Sequence, residues 1–264
     1  MIRGIILDLD GTVYLGDEEV PGAAAFVQQM RDEGIRCLFV TNRSNRPAGT
    51  VCEQLTAYGI DCSPEEILTS AHATAGHLPP GSAYVIGEAG LIASLEAAGF
   101  TLTSRSPDYV IVGYDRSFDY GKLKIACRAI EGGARFIATN PDRAIKLEDG
   151  ISPGTGAILA AITCVTDKPP QVIGKPGPII FTMAVRQLGL EAHEVIAVGD
   201  SIETDVCAGI NAGLRTVLLM TGVSTEATVK ASRIQPTWLA NNYDELHALV
   251  KTDNLVAAQE GTQP

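Results

Sequence analysis

A chain of 264 residues, 45% of them hydrophobic, can bury one sizeable core or two smaller ones and is too apolar to stay disordered. Its net charge of −11 argues against nucleic acid or an anionic membrane as the main partner. The apolar runs are short and interrupted and the first strand starts almost at Met1, so neither a membrane span nor a leader peptide is expected, and the location read from this is cytoplasmic.

An apolar run predicts the first strand over residues 4–9, ending in Asp8-Leu9-Asp10-Gly11-Thr12. Strand side chains alternate, so Asp8 and Asp10 leave the strand on one side, where their repulsion costs stability unless a cation or a proton-transfer role compensates. Gly11 permits a sharp turn, and Thr12 offers a hydroxyl and an N–H. An ordinary Asp-Gly turn with a spare capping Asp is the alternative. A flap-like turn is expected from Tyr14 to Pro21, then a helix to about Glu33 with Phe26, Val27 and Met30 inward and Gly34 as its stop. The strand Cys37–Val40 ends in Thr41-Asn42, and a helix after Pro47 ends near Gly59. The first block closes with 64–68 and a segment to His77.

Pro79-Pro80-Gly81 reads as a linker opening a second α/β series. Its candidate strands are 83–86, 109–112, 136–138 and 172–173. Ile158, Ala161, Ile162 and Val165 mark a helix face at i, i+3, i+4, i+7. Gly174-Lys175-Pro176 marks the return. A helix with Phe181, Val185 and Leu188 on one face follows, then a strand over 195–198 ended by Gly199-Asp200, a strand over 216–219 and a helix over 245–250. Residues 253–264 read as a loose tail. The alternation predicts α/β architecture: a Rossmann-like parallel-sheet core from 1–78 and 175–264, with an α/β cap, 79–174, inserted at the strand ends where ligands bind in such sheets.

Six cysteines form no CxxC pair. Cys37, Cys127 and Cys207 read as small core residues in a reducing compartment, and Cys62 with His72 and His77 fits no zinc spacing. The chemistry concentrates at successive strand ends instead: Asp8 with Asp10, Thr41-Asn42, Lys175, and Asp200 with Asp205. Each has a plain local explanation; Asp200 and Ser201, for example, suit a helix N-cap. Together they offer what phosphoryl transfer needs, namely a carboxylate nucleophile, a hard-metal site, a hydroxyl and a cation.

The segments Asp8-Leu9-Asp10-Gly11-Thr12, Thr41-Asn42, Lys175 and Gly199-Asp200-Ser201-Ile202-Glu203-Thr204-Asp205 resemble the four motifs of haloacid-dehalogenase-superfamily phosphatases. An α/β insertion between the second and third motifs is similar to the NagD-type, p-nitrophenylphosphatase-like branch. Within that branch, Thr41-Asn42-Arg43-Ser44-Asn45 is most similar to bacterial sugar phosphatases of the AraL type. The resemblance implies a Mg²⁺-dependent phosphomonoesterase acting on small phosphorylated metabolites, sugar phosphates or nucleoside monophosphates. Asp8 would be the nucleophile and Asp10 the acid/base. Asp8, the Asp10 carbonyl and Asp200 would hold Mg²⁺, with Asp205 and Ser201 behind them. Gly11, Thr41, Asn42 and Lys175 would receive the phosphoryl group. Arg43, where the branch often has a second Asn, either contacts an anionic substrate or points to solvent. Specificity would lie in cap residues such as Tyr114, Asp115, Arg116, Asn140 and Asp142, and the cap leaves room for a homodimer.

A dehalogenase would not need Asp10, and a receiver domain would be about half this length with an adjacent acidic pair. A phosphomutase or phosphotransferase, and a phosphate- or metabolite-binding protein of the same fold that has lost catalysis, remain the other readings.

Overall fold

The computed structural model describes residues 1–147 and 150–260. Two compact units emerge: Met1–Thr41 with Val51–Leu68 and Pro176–Pro264, and Asn42–Thr50 with Thr69–Lys175.

The first unit is built on a six-stranded sheet in the order Trp238–Ala240, Arg215–Leu219, Val195–Gly199, Gly4–Asp8, Arg36–Thr41, Ile67–Thr69. The ladders from Trp238–Ala240 through to Arg36–Thr41 are parallel. Gly4–Asp8 is buried at every position, which explains its continuous apolar run: a central parallel strand has no solvent face. From this strand the chain steps outward on one side through Arg36–Thr41, then returns on the other through Val195–Gly199. The order therefore reverses between Gly4–Asp8 and Val195–Gly199, and the carboxyl ends at such a switch point are where ligands bind in open α/β sheets.

Helix Ala23–Asp32 buries Ala23, Phe26, Val27 and Met30, and Gly34 follows it with φ 77°. The flap-like turn is a short antiparallel hairpin of Tyr14–Leu15 with Glu18–Glu19. The C-terminal segment departs from expectation, because a single helix, Tyr243–Glu260, continues through most of the supposed loose tail. Tyr243, Leu246 and Val250 are buried. The Tyr243 hydroxyl donates to the Thr12 carbonyl at 2.8 Å, and its ring lies 5.1 Å from that of Phe26. Farther along, Asp253 accepts from Arg215 at 2.7 Å, and Asn254 bonds both backbone groups of Ile2. Polar anchors of this kind leave no hydrophobic period in the sequence. Residues 261–264 of that tail lie outside the described residues. No helix among the described residues is long and apolar enough to cross a membrane.

The second unit carries a five-stranded parallel sheet in the order Gln171–Val172, Arg135–Ala138, Tyr109–Val112, Ser82–Ile86, Thr101–Leu102. Helices Tyr120–Glu131 and Thr155–Thr166 pack on it through Ala126, Cys127, Ile130, Ile158, Leu159 and Ile162. The buried stripe of Thr155–Thr166 runs through Thr155, Ile158, Leu159, Ile162 and Thr166, whereas Val165 is 62% exposed. The expected face was therefore rotated: Leu159 and Thr166 take the inward places assigned to Ala161 and Val165. Asn42–Thr50 joins this unit through close backbone packing, since a Cβ on Gly90 would collide with the Asn45 carbonyl.

Ile162→Ala should destabilise the protein by about 2–5 kcal/mol, the cost of a core cavity, and Val165→Lys should stay within about 0.5 kcal/mol of wild type. Urea denaturation of both variants checks the rotated face.

Candidate active site

Asp8 ends the central strand and is 6% exposed. Register sets Leu7 beside Val198 and Asp8 beside Val40, so Gly199-Asp200 and Thr41 leave the neighbouring strands at the same level. Beyond Asp8 the chain folds tightly on itself, because the Leu9 carbonyl accepts from the N–H groups of Thr12, Val13 and Tyr14 at 3.2, 2.8 and 3.1 Å. Gly11 makes this turn at φ 87°, a conformation that side chains disfavour. Thr12 is fully buried, and its hydroxyl has no hydrogen-bond partner among the described residues.

One carboxylate oxygen each from Asp8, Asp200 and Asp205 lies within 4.8 Å of the others, and all three residues are buried. Among the described residues no other group of acids, histidines and cysteines converges this way. Asp205, expected behind the metal ligands, thus stands in the cluster itself. The Asp10 side chain, half-buried, does not belong to that cluster. The reason for the Asp205 placement is local. Residues Ile202–Val206 form a π-helical turn, with the Val206 N–H donating to the Ser201 carbonyl at 3.1 Å. This wider turn carries Asp205 back toward the strand end, where its carboxylate accepts from the Ser201 N–H at 3.1 Å. Ser201 caps the turn by accepting from the Thr204 N–H at 3.3 Å.

Glycines make room for these carboxylates. A Cβ on Gly11 or on Gly222 would run into the Asp200 carboxylate, and one on Gly199 would run into Asp205. The Asp200 carboxylate accepts from the Val223 N–H at 2.6 Å, and Thr221 Oγ1 donates to the Gly11 carbonyl at 2.7 Å. Sequence reasoning missed this 221–224 segment. Its signal was the Thr221-Gly222 pair directly beyond the strand Arg215–Leu219, the same strand-end position as the other motifs. Burial, and after it the charge of Asp8, raise the Tyr243 hydroxyl pKa well above its ordinary value.

Three buried like charges are unstable together without a counter-charge. Carboxylate oxygens are the donor type that hard divalent cations prefer, so Asp8, Asp200 and Asp205 fit Mg²⁺. No comparable site forms from Cys62, His72 and His77: the Cys62 sulfur faces Cys52, and the His72 ring meets the Thr69 hydroxyl.

The remaining predicted residues fall in the second unit. Asn42 grips the Lys175 peptide from both sides, its Oδ1 accepting from the Lys175 N–H at 2.9 Å and its Nδ2 donating to the Lys175 carbonyl at 3.0 Å. The same amide donates to both Asp142 carboxylate oxygens, at 3.2 and 3.1 Å, and Asn140 donates to Asp142 at 2.6 Å. Lys175 is 3% exposed and Arg43 is half-buried. Arg116 is engaged by Glu88 through two bonds of 2.7 and 3.1 Å, and this pairing holds the Glu88 carboxyl below its usual range. Asp115 accepts from Lys122 at 2.6 Å and from Ser117 at 2.7 Å. Burial alone would raise its pKa; these bonds win and lower it. The Tyr114 N–H donates to the Ser44 hydroxyl at 3.3 Å.

The model of the haloacid dehalogenase-like hydrolases matches residues 5–101, and a HAD-hydrolase-like model matches residues 172–246. The 5'-nucleotidase YutF of Bacillus subtilis is 40% identical over 247 residues, covering 92% of this chain and 96% of the relative. The chain belongs to the haloacid dehalogenase-like hydrolases. An acid sugar phosphatase of Staphylococcus aureus is 41% identical over 248 residues, covering 92% and 96%. The crystal structure of NagD from E. coli K-12 superimposes with a TM-score of 0.87 at 35% identity, covering 92% of this chain and 98% of that one. This HAD-like chain is accordingly an enzyme of the phosphatase type, in the NagD-type branch that its motifs resembled.

Gly222→Ala pushes a methyl group into the Asp200 carboxylate. Mg²⁺ affinity should fall by about 10–100-fold, the usual scale for disturbing the groups that orient metal ligands. Isothermal titration checks this, with circular dichroism confirming an unchanged fold; wild-type affinity would show that the carboxylate can move aside.

Proposed function

We propose that this phosphatase is a Mg²⁺-dependent phosphomonoesterase that cleaves small phosphorylated metabolites through an aspartyl phosphate on Asp8. The observation that carries this reading is the convergence of Asp8 with Asp200 and Asp205, all buried, at the switch point of the core sheet. Asp8 attacks phosphorus, the ester bond breaks, and Asp10 protonates the departing alcohol oxygen. Asp10 then takes a proton from a water that attacks the aspartyl phosphate, which releases inorganic phosphate and restores the Asp8 carboxylate. Mg²⁺ held by Asp8, Asp200, Asp205 and the Asp10 carbonyl would supply positive charge to the phosphoryl oxygens. Thr41 and the Asn42 backbone receive those oxygens in this scheme, and Lys175 balances their charge.

For the substrate, the names of the B. subtilis and S. aureus relatives point to nucleotides and sugar phosphates. Specificity is assigned to the inserted 79–174 segment acting as a cap. Tyr114, Asp115, Arg116, Asn140 and Asp142 are the candidates there, with the Arg116 guanidinium engaged by Glu88 and Asp142 held by Asn42 and Asn140.

Hydrolysis of p-nitrophenyl phosphate should require Mg²⁺ and fall on the order of 10⁴-fold or more in Asp8→Asn. Asp10→Asn should lose about 10²–10⁴-fold on a sugar phosphate and less on the p-nitrophenyl ester, whose leaving group needs no proton. Steady-state rates on both esters check this. Turnover that survives Asp8→Asn would overturn the covalent route, and phosphate binding without turnover in wild type would favour a binding protein.

A further inference from the structure

We propose that Cys52 and Cys62 form a reversible intrachain disulfide, a redox-modification site on the core unit. Their sulfurs lie 3.1 Å apart, roughly 1 Å beyond a bonded pair. Cys52 Sγ also donates to the Cys62 carbonyl at 2.5 Å. Neither residue is fully buried, so a small oxidant can reach them.

The pairing follows from how the chain turns. Cys52 lies on helix Ala48–Ala57, which closes at Gly59 with φ 81°. The Ile60 N–H bonds back to the Leu55 carbonyl and the Gly59 N–H to the Thr56 carbonyl, each at 3.0 Å. Ile60 and Leu55 are both buried, so the turn is packed as well as bonded, and it brings Cys62 back alongside Cys52. The returning segment is held from its other side too. Arg31 donates to the Asp61 carbonyl and to Glu66 at 2.8 Å, and Glu66 accepts from the Ser63 N–H at 2.9 Å. The two sulfurs are therefore presented to each other by fixed backbone on both sides.

The other four cysteines differ. Cys37 and Cys127 are buried, Cys207 accepts from Asn211, and Cys164 is exposed, and among the described residues none of them meets another sulfur. Burial and the neighbouring Cys52 push the Cys62 thiol up to about 12, and its S–H donates to the Cys52 sulfur, which sets Cys62 in place to resolve an oxidised Cys52. With hydrogen peroxide, the Cys52 sulfur takes one oxygen as the O–O bond breaks, giving a sulfenic acid and one water. The Cys62 sulfur then displaces that hydroxyl; the S–S bond forms, the S–O bond breaks, and the hydroxyl leaves with the thiol proton as a second water. Two electrons pass from the thiols to the peroxide, and a dithiol reductant reverses the step.

The test uses the full chain. After peroxide, thiol alkylation and trypsin, one peptide holds both cysteines, because no cleavable Lys or Arg lies between Ser44 and Arg105. It should lose two hydrogens, stay joined after cleavage at Glu53, and regain both thiols with dithiothreitol. Cys62→Ser should stop at a Cys52 sulfenic acid that dimedone captures. The proposal is overturned if both wild-type cysteines alkylate as fast after peroxide as before, or if each oxidises singly to a sulfinic acid without the crosslink.

Discussion

Three carboxylates buried side by side at the switch point of a parallel sheet are the constraint on which the core unit depends. Their mutual repulsion opposes folding, and burial strengthens it by removing the water that would screen it. The surrounding backbone is organised to tolerate this. Glycines stand where side chains would crowd Asp200 and Asp205, while N–H groups from Val223 and Ser201 face the acids and soften the charge. A hard divalent cation would fit this arrangement, so stability and chemistry meet at the same carboxylates.

The inserted unit shows the opposite policy. Its acids are matched within the unit: Asp115 by Lys122, Glu88 by Arg116, and Asp142 by the amides of Asn42 and Asn140. Such satisfied pairs place side chains without creating a demand for metal. The contrast runs along the chain, with clustered carboxylates in the core and paired polar networks in the insertion.

Much of this was legible in the sequence because the core obeys simple periods. The fully buried strand Gly4–Asp8 and the Ala23–Asp32 stripe announce themselves, and Asp8, Thr41 and Asp200 do stand at ends of core strands, whereas Lys175 follows Gln171–Val172 of the other sheet. What escaped depended on geometry that no residue pattern encodes. The π-helical turn after Asp200 carries Asp205, which stands in the cluster. The Thr221–Ser224 contribution needs the strand order, since it reaches Asp200 from the strand beside Val195–Gly199. In Thr155–Thr166 nearly every residue is apolar or small, so periodicity could not choose the buried face. The last helix is held by Asp253 and Asn254, polar residues that read as solvent-facing. Arg116 and Glu88 lie 28 positions apart, beyond any local motif.

Asn42 has a consequence for how such a chain could have been assembled. It stands at the first residue of the inserted unit and bonds the peptide of Lys175, the last; its own carbonyl accepts from Ser70 at 2.6 Å, next to a third crossing. Three of the four points where the backbone passes between units are thus tied at one residue, two through the Asn42 side chain and its position in the chain and the third through its carbonyl. An insertion whose ends already meet adds little closure entropy to its host, however long it grows. Such a segment has the geometry of a cassette, one that can lengthen or shorten while the host sheet keeps its register.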